Sequence, residues 1–115
     1  MSTPDLAEFL DHLAPRDEPA AWLACRLLES GWSVFELTGP VQMDVWQLLL
    51  EHGPRRVRFG IERGRSDGVL VRDDAGAYRP ILDAMGVNGE SRGSLAANRV
   101  AALNWLNPES DGVEE

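Results

Sequence analysis

The stretch GPRRVRFGIERGRSDGVLVRDD, residues 53–74, alternates apolar and polar side chains and predicts a β-hairpin. In an extended chain Val57, Phe59 and Ile61 point to one side, and the arginines between them point to the other. The sequence RGRSDG predicts a turn, and VLVR then resumes the pattern of a strand. The hairpin is therefore expected to have one apolar face and one arginine-bearing face.

The segments around this hairpin predict an α+β fold, in which a small single domain packs helices on a three- or four-stranded mixed or antiparallel sheet. WSVFEL is rich in β-branched and aromatic residues and predicts a strand. AYRP is a further candidate, restricted to a sheet edge because Pro80 lacks a backbone N–H. The predicted strands span about residues 32–37, 56–62, 68–72 and, as the further candidate, 77–80.

Apolar residues at helical spacing predict the remaining elements. TGPVQMDVWQLLLEHG gives the clearest helix, because Pro40 suits a first helical turn and a glycine follows the last turn. Asp17 and Ser94 are predicted to cap two other helices. A helix between the strands at 32–37 and 56–62 would allow a right-handed parallel crossover. The predicted helices span about residues 4–14, 18–30, 40–52 and 94–106.

The length of 115 residues fits one domain. We expect a single globular α+β domain over residues 1–107, which contains all of the predicted helices and strands. Residues 108–115 are acidic and lack a helical or strand pattern, and they are predicted to form a flexible tail.

Charge is unevenly distributed along this acidic chain. The net charge is −8, all eleven basic side chains are arginines, and six of them lie between Arg55 and Arg72. That segment carries a charge of +4, and the remaining residues carry −12. Arginine is permanently charged and presents a planar fork of donors, which suits carboxylate and phosphate groups.

The sequence contains no recognisable catalytic or metal-binding motif. Cys25 is the only cysteine, which excludes an intrachain disulfide, and its place in an apolar helix pattern predicts a buried, inert thiol. Neither His12 nor His52 has acidic neighbours at a known zinc or calcium spacing. His52 is instead expected to offset the dipole in the last turn of a helix. No metal and no cofactor are predicted, and an enzyme is the least supported class.

The glycine-rich loop GVNGESRGS precedes a predicted helix but matches neither the Walker A nor the dinucleotide-binding pattern. A turn followed by a helix cap explains it, with a small-anion site at Arg92 as the alternative. The first ten residues lack the basic start and apolar run of a secretory signal, and no apolar stretch approaches the roughly 18 residues of a membrane span. We therefore expect a cytoplasmic location and no membrane partner.

Two groups of charged residues and one tryptophan are candidate binding residues. The acidic candidates share one predicted helix face. Trp46 falls away from the inner face of its predicted helix, where it either packs in a second layer or belongs to a surface patch. The arginines of the hairpin either bind a ligand or pair with the excess acids of the chain, including Glu62, Asp67, Asp73 and Asp74. The binding candidates are Arg56, Arg58, Arg63, Arg65, Arg72 and Trp46, and the acidic candidates are Asp5, Glu8 and Asp11.

The leading hypothesis is a non-catalytic protein-interaction module that acts through charged surfaces, such as a regulator, adaptor, chaperone or immunity-type inhibitor. Its partner would be another protein, and its oligomeric state is left open. The alternative is binding of a phosphate-bearing or nucleic-acid ligand through the arginine-rich hairpin at 55–72. The net charge of −8 opposes that alternative, and Phe59 is the one aromatic residue interleaved with the arginines.

Overall fold

The computed structural model describes residues 6–41, 45–73, 75–86 and 94–107. These residues form an α+β fold in which five antiparallel strands lie in sequence order across one sheet. The predicted fold class is confirmed, but the sheet has more strands than the three or four expected. The helices are α1 (Leu6–Arg16), α2 (Glu18–Glu29), α3 (Ile81–Ala84) and α4 (Leu95–Leu106), and the strands are β1 (Ser33–Val41), β2 (Val45–His52), β3 (Arg55–Glu62), β4 (Arg65–Arg72) and β5 (Tyr78–Pro80).

Strands β3 and β4 form the predicted hairpin. Val57 pairs with Val71 and Phe59 pairs with Val69, so the apolar side chains of both strands lie on one face. The turn consists of Arg63 and Gly64, which both have positive φ angles, of 55° and 79°. Positive φ at both central residues is the geometry of a type I′ turn, which matches the twist of the two strands.

The prediction of a helix over residues 40–52 is wrong. This segment contains the end of β1 and all of β2, and β2 pairs antiparallel with both β1 and β3. The predicted parallel crossover is therefore also wrong. The run of three leucines at 48–50 fits a helix or a strand, and in the structure Trp46, Leu48 and Leu50 alternate toward the core, as a period of two requires.

Gly39 lies where β1 closely approaches the backbone of β2. Its φ angle is 120°, and a Cβ atom at this position would lie 2.5 Å from the carbonyl oxygen of Val45 and 2.8 Å from Cα of Trp46. A side chain would therefore collide with the backbone of the neighbouring strand. Gly39 lies within a strand and permits this close approach, whereas the sequence pattern had placed it next to a helix start.

The helices pack on one face of the sheet and share a single core with it. On the sheet side, this core contains the alternating apolar residues of β2, β3 and β4. Leu49 points away from it, yet its side chain is only 7% exposed. The core side chains with the largest volumes and no exposure include Phe9, Leu13, Leu23, Leu27, Leu48, Leu50, Val57 and Phe59.

Two predicted helix caps are present. Asp17 accepts a hydrogen bond from the backbone N–H of Ala20, and Ser94 accepts one from the backbone N–H of Ala97. Helix α1 continues through Pro15 to Arg16, two residues beyond its predicted end. The candidate strand at 77–80 is present as β5, which lies at the edge of the sheet. The predicted flexible tail at 108–115 lies outside the described residues.

Candidate functional site

The hairpin does not gather its arginines at one place. Arg63 and Arg65 lie at the turn between β3 and β4, whereas Arg55, Arg56 and Arg72 lie at the other end of the same two strands. A strand rises about 3.3 Å per residue, so the two groups are roughly 20 Å apart along the hairpin. Of the five arginines predicted from the sequence as one site, Arg63 and Arg65 therefore lie at one end of the hairpin and Arg56 and Arg72 at the other.

Arg58 lies between these ends, on the face of the sheet that points away from the core. It is paired with Leu49 on β2 and with Leu70 on β4. Arg56, two residues earlier on the same strand, points to the same face. The described helices all contribute to the core on the opposite face, and we call the second face the open face.

Two aromatic rings from distant parts of the chain lie against the arginines of the open face. The guanidinium carbon of Arg56 lies 3.7 Å from the ring centre of Phe35, and that of Arg58 lies 5.2 Å from the ring centre of Tyr78. These distances allow cation–π interaction. Phe35 is the extra residue of a β-bulge in β1, because Val34 pairs with Leu50 whereas Glu36 pairs with Leu49.

A cleft opens at the end of the strands, between the sheet and the last turn of α4. Its volume is about 270 Å³. Arg55 and Arg72 also border a neighbouring hollow that is lined by Pro54, Asp73, Ala75 and Gly76. The cleft itself is lined by Arg55, Arg56, Val71, Arg72, Trp105 and Leu106.

Backbone carbonyls hold two of the arginines of the cleft. Arg55 Nη1 donates a hydrogen bond to the carbonyl oxygen of Leu106, and Arg72 Nη2 donates one, of 3.0 Å, to that of Pro54. A guanidinium has five N–H donors, so each side chain keeps donors for a ligand. We use the name arginine surface for the cleft and the adjoining part of the open face, namely Arg55, Arg56, Arg58, Arg72, Phe35, Tyr78 and Trp105.

Pairing with the chain's own acids accounts for little of this surface. Arg56 forms an ion pair with Glu51, with 3.6 Å between Nε and Oε1. The other ion pairs among the described residues are Arg26–Glu29 and Arg99–Glu18, which lie outside the arginine surface. The alternative that Glu62, Asp67 and Asp73 neutralise the hairpin arginines is therefore not seen in the described structure, and Asp74 lies outside it.

Trp46 is a core residue and cannot act as an exposed anchor. Its side chain is 4% exposed, and its ring lies 5.8 Å from that of Phe9 and 5.3 Å from that of His12. The interpretation of Trp46 as a surface residue depended on the helix that is in fact β2. Trp105, in the cleft, is 42% exposed and is the tryptophan that a partner can reach.

Two of the three acidic candidates, Glu8 and Asp11, lie on α1. The side chains of Glu8 and Asp11 are exposed, and Asp5 lies outside the described residues. Arg16, at the end of α1, donates a hydrogen bond of 3.2 Å to the carbonyl oxygen of Gly64 in the hairpin turn. A partner for this acidic helix face stays a prediction.

The surroundings of Cys25 and His52 differ from those predicted. Cys25 is exposed, contrary to its predicted burial, and partial desolvation followed by the charge of Glu29 raises the pKa of its thiol. A raised pKa lowers the thiolate fraction and with it the nucleophilicity. The ring of His52 stacks on that of Trp32, with 5.4 Å between centres. Because His52 ends a strand, its predicted interaction with a helix dipole is wrong.

The described residues contain no group of three or more His, Cys, Asp or Glu side chains arranged to hold a metal ion. The glycine-rich loop with Arg92 lies outside the described residues, apart from its first and last residues, Gly86 and Ser94. No described helix combines the length and the apolar character that a membrane crossing requires.

The chain matches no protein-family model, and neither a curated protein nor a solved structure is significantly similar to it. Its function is therefore inferred from its own residues. The arginine surface combines four permanent positive charges with three aromatic rings from β1, β5 and α4. Sequence reasoning identified three of those arginines but missed the rings, since their approach to β3 depends on strand pairing and helix packing.

Proposed function

We propose that the chain is a non-catalytic protein-interaction module that binds an acidic segment of a partner protein through the arginine surface. One observation carries the proposal. Arg55, Arg58 and Arg72 are held by backbone carbonyls or by an aromatic ring, and no described acid pairs with them. Small regulators, adaptors, chaperones and immunity-type inhibitors are proteins with this mode of action.

The contacts of these arginines favour a carboxylate ligand. A carbonyl oxygen or an aromatic ring orients a guanidinium but, having no negative charge of its own, does not neutralise the positive charge. A carboxylate can then accept two parallel N–H bonds from one guanidinium, and such charge-assisted pairs are stronger than neutral hydrogen bonds. Because the side chains are already oriented, less rotational freedom is lost when the ligand binds.

Affinity capture with matched variants tests this proposal. The test variant is Arg56→Gln/Arg58→Gln, and the control is Arg63→Gln/Arg65→Gln, which removes the same charge from the far end of the hairpin. We expect the wild type and the control to capture the same protein at low salt, and the test variant to bind it at least tenfold more weakly. Calorimetry with the purified partner measures the affinity.

Two results would contradict the proposal. One is equal loss of binding in the test variant and the control, which would indicate a general charge effect. The other is a captured protein whose binding does not weaken between about 50 and 500 mM salt, because a charge-dependent interface is screened by salt.

The aromatic rings on the open face favour a second candidate, the binding of single-stranded nucleic acid. Phe35 and Tyr78 lie beside arginines on a sheet, and single-strand binding proteins use such rings to stack bases. The overall charge of −8 opposes this candidate. Fluorescence anisotropy with labelled DNA and RNA 12-mers at about 50 mM salt distinguishes this candidate from binding of an acidic protein segment. Salt-sensitive binding at micromolar protein concentration would support nucleic-acid binding, and unchanged anisotropy would eliminate it.

A further inference from the structure

We propose that the cleft between Arg55, Arg72 and Trp105 binds one acidic side chain of the partner's segment together with an adjacent apolar side chain. This inference rests on the proposed function and specifies what the partner must contain. It makes the cleft a defined subsite, with the open face as the surrounding contact area.

The N–H donors of the cleft arginines are fixed in position and outnumber their acceptors. Arg55 is tied to the carbonyl of Leu106 and Arg72 to that of Pro54, and each tie uses one of five N–H groups. The remaining N–H groups of both guanidinium groups are available to a ligand that brings acceptors.

The charge around the cleft suits a single carboxylate better than a phosphate. Asp73 lines the neighbouring hollow, where its Oδ1 atom accepts hydrogen bonds of 2.9 Å from the backbone N–H groups of Ala75 and Ala77. Glu51 already accompanies Arg56. These two negative charges lower the net positive charge near the cleft. The lower positive charge disfavours a doubly charged phosphate more than a singly charged carboxylate.

The walls of the cleft suit an acidic side chain beside an apolar one, within a volume of about 270 Å³. Val71 and Leu106 line its floor and are nearly buried, and Trp105 forms an exposed apolar wall. Exposed tryptophan is enriched among residues that dominate binding energy, and it can cover an apolar side chain beside the carboxylate.

A peptide titration followed by nuclear magnetic resonance tests the subsite in the full chain. The probe is the peptide acetyl-GSELELSG-amide, the neutral control is acetyl-GSQLQLSG-amide, and inorganic phosphate is a third arm. We expect the acidic peptide to shift the indole N–H signal of Trp105 and to bind at least tenfold more tightly than the neutral peptide. Arg72→Gln and Arg55→Gln should each weaken binding at least fivefold, and Arg63→Gln less than twofold.

Because Arg55 also contacts the end of α4, a second variant is used at this position. Arg55→Lys keeps the positive charge but lacks the planar fork of donors, and it therefore tests the fork geometry.

The chain's own residues after Asn107 include four acids that would compete with the peptide for the cleft, namely Glu109, Asp111, Glu114 and Glu115. A full-length variant with these four acids changed to their amides should bind the probe at least as tightly as the wild type. Equal binding of both peptides, or a Trp105 signal that phosphate alone shifts, would overturn the assignment.

A separate result distinguishes failure of the subsite from failure of the proposed function. Trp105→Ala is tested in the capture experiment beside Arg58→Gln. A partner that is lost with Arg58→Gln but retained with Trp105→Ala and Arg55→Gln overturns the cleft as a subsite and leaves the proposed function intact. A partner lost with Trp105→Ala supports the subsite.

Discussion

Ser66 donates a hydrogen bond of 2.6 Å to Oδ2 of Asp17, and thereby connects the arginine hairpin to the start of a helix. The other oxygen of Asp17 caps α2 by accepting from the backbone N–H of Ala20. Ser66 Oγ also accepts a hydrogen bond of 3.0 Å from the backbone N–H of Gly68. One carboxylate therefore fixes both the first turn of α2 and the position of β4.

We predict that Asp17→Ala lowers the free energy of unfolding by about 2.5 kcal/mol, since a lost cap costs about 1 kcal/mol and a hydrogen bond to a charged group contributes a further ~1.5. Ser66→Ala should cost about 1.5 kcal/mol, because it removes the same hydrogen bond to the carboxylate. Because the two residues share one bond, the double variant should lose less than the sum of the single losses. Urea denaturation measures all three changes.

The control for this cycle is Ser94→Ala, which removes the cap of α4 and has no bond to either residue. Its loss of about 1 kcal/mol should add to that of Ser66→Ala. Additive losses for the Asp17 and Ser66 variants as well would contradict the coupling.

A second prediction concerns the close approach at Gly39. Gly39→Ala should lower the free energy of unfolding by about 3 kcal/mol or more, because the new Cβ atom would meet backbone atoms of Val45 and Trp46 at a positive φ angle. Gly31→Ala is the matched control, since Gly31 has a φ angle of 100° and open space around its Cα. Gly31→Ala should lower the free energy of unfolding only by the cost of a side chain at positive φ, about 1–2 kcal/mol. Equal losses would mean that the collision at Gly39 is relieved by movement of β2.

The same region marks the limit of what sequence could predict about the fold. The hairpin was predictable because Val57, Phe59 and Ile61 alternate with polar residues over the whole of β3. Strand β2 was not, because Leu49 is buried on the open face and so breaks the alternation of Trp46 and Leu48. A strand buried on both faces has no distinctive period, and only its pairing with two neighbours distinguishes it from a helix.

The site was predictable to a similar extent. Local sequence identified Arg56 and Arg58 on one face of a strand, and the structure places both there. It could not identify the rings of Phe35 and Tyr78, because a bulge in β1 and the pairing of β5 bring them to β3. The sequence-based prediction also treated the hairpin arginines as one group. Residues that are close in sequence can lie at opposite ends of a hairpin, as the arginines at its turn and at its open end do.

A third prediction concerns the turn residue Arg63. Its φ angle of 55° lies in the left-handed region, where most side chains are strained by about 1–2 kcal/mol and asparagine is better tolerated. Asn-Gly is the preferred sequence of a type I′ turn. Arg63→Asn should therefore raise the free energy of unfolding by about 0.5–1 kcal/mol, as measured by urea denaturation.

Arg65→Asn is the control for the turn, because Arg65 lies in β4, paired with Glu62, and asparagine is unfavourable in a strand. It should leave stability unchanged or lower it. A gain of the same size in both variants would point to the removal of charge as the cause and contradict the turn geometry.

The fourth prediction concerns pH. Arg99 donates two hydrogen bonds to the carboxylate of Glu18, of 2.6 and 3.1 Å, and these bonds lower the pKa of that carboxyl below its ordinary value. A carboxyl group whose pKa is lowered by folding stabilises the folded state at pH values above its unfolded pKa. That stabilisation is lost as the pH falls through the lowered value in the folded state. Glu18→Gln should therefore reduce stability at pH 7 and have a smaller effect at about pH 3.

The sign of this effect is checked by measuring urea denaturation of the wild type and Glu18→Gln at several pH values. The loss should be small, because both side chains are on the surface and exposed ion pairs contribute little. In an Arg99→Gln background, Glu18→Gln should no longer change the pH dependence, since the partner that lowers the pKa is gone. If the pH dependence persisted in that background, it would have to arise from the position of Glu18 in the first turn of α2, where the helix dipole also favours a negative charge.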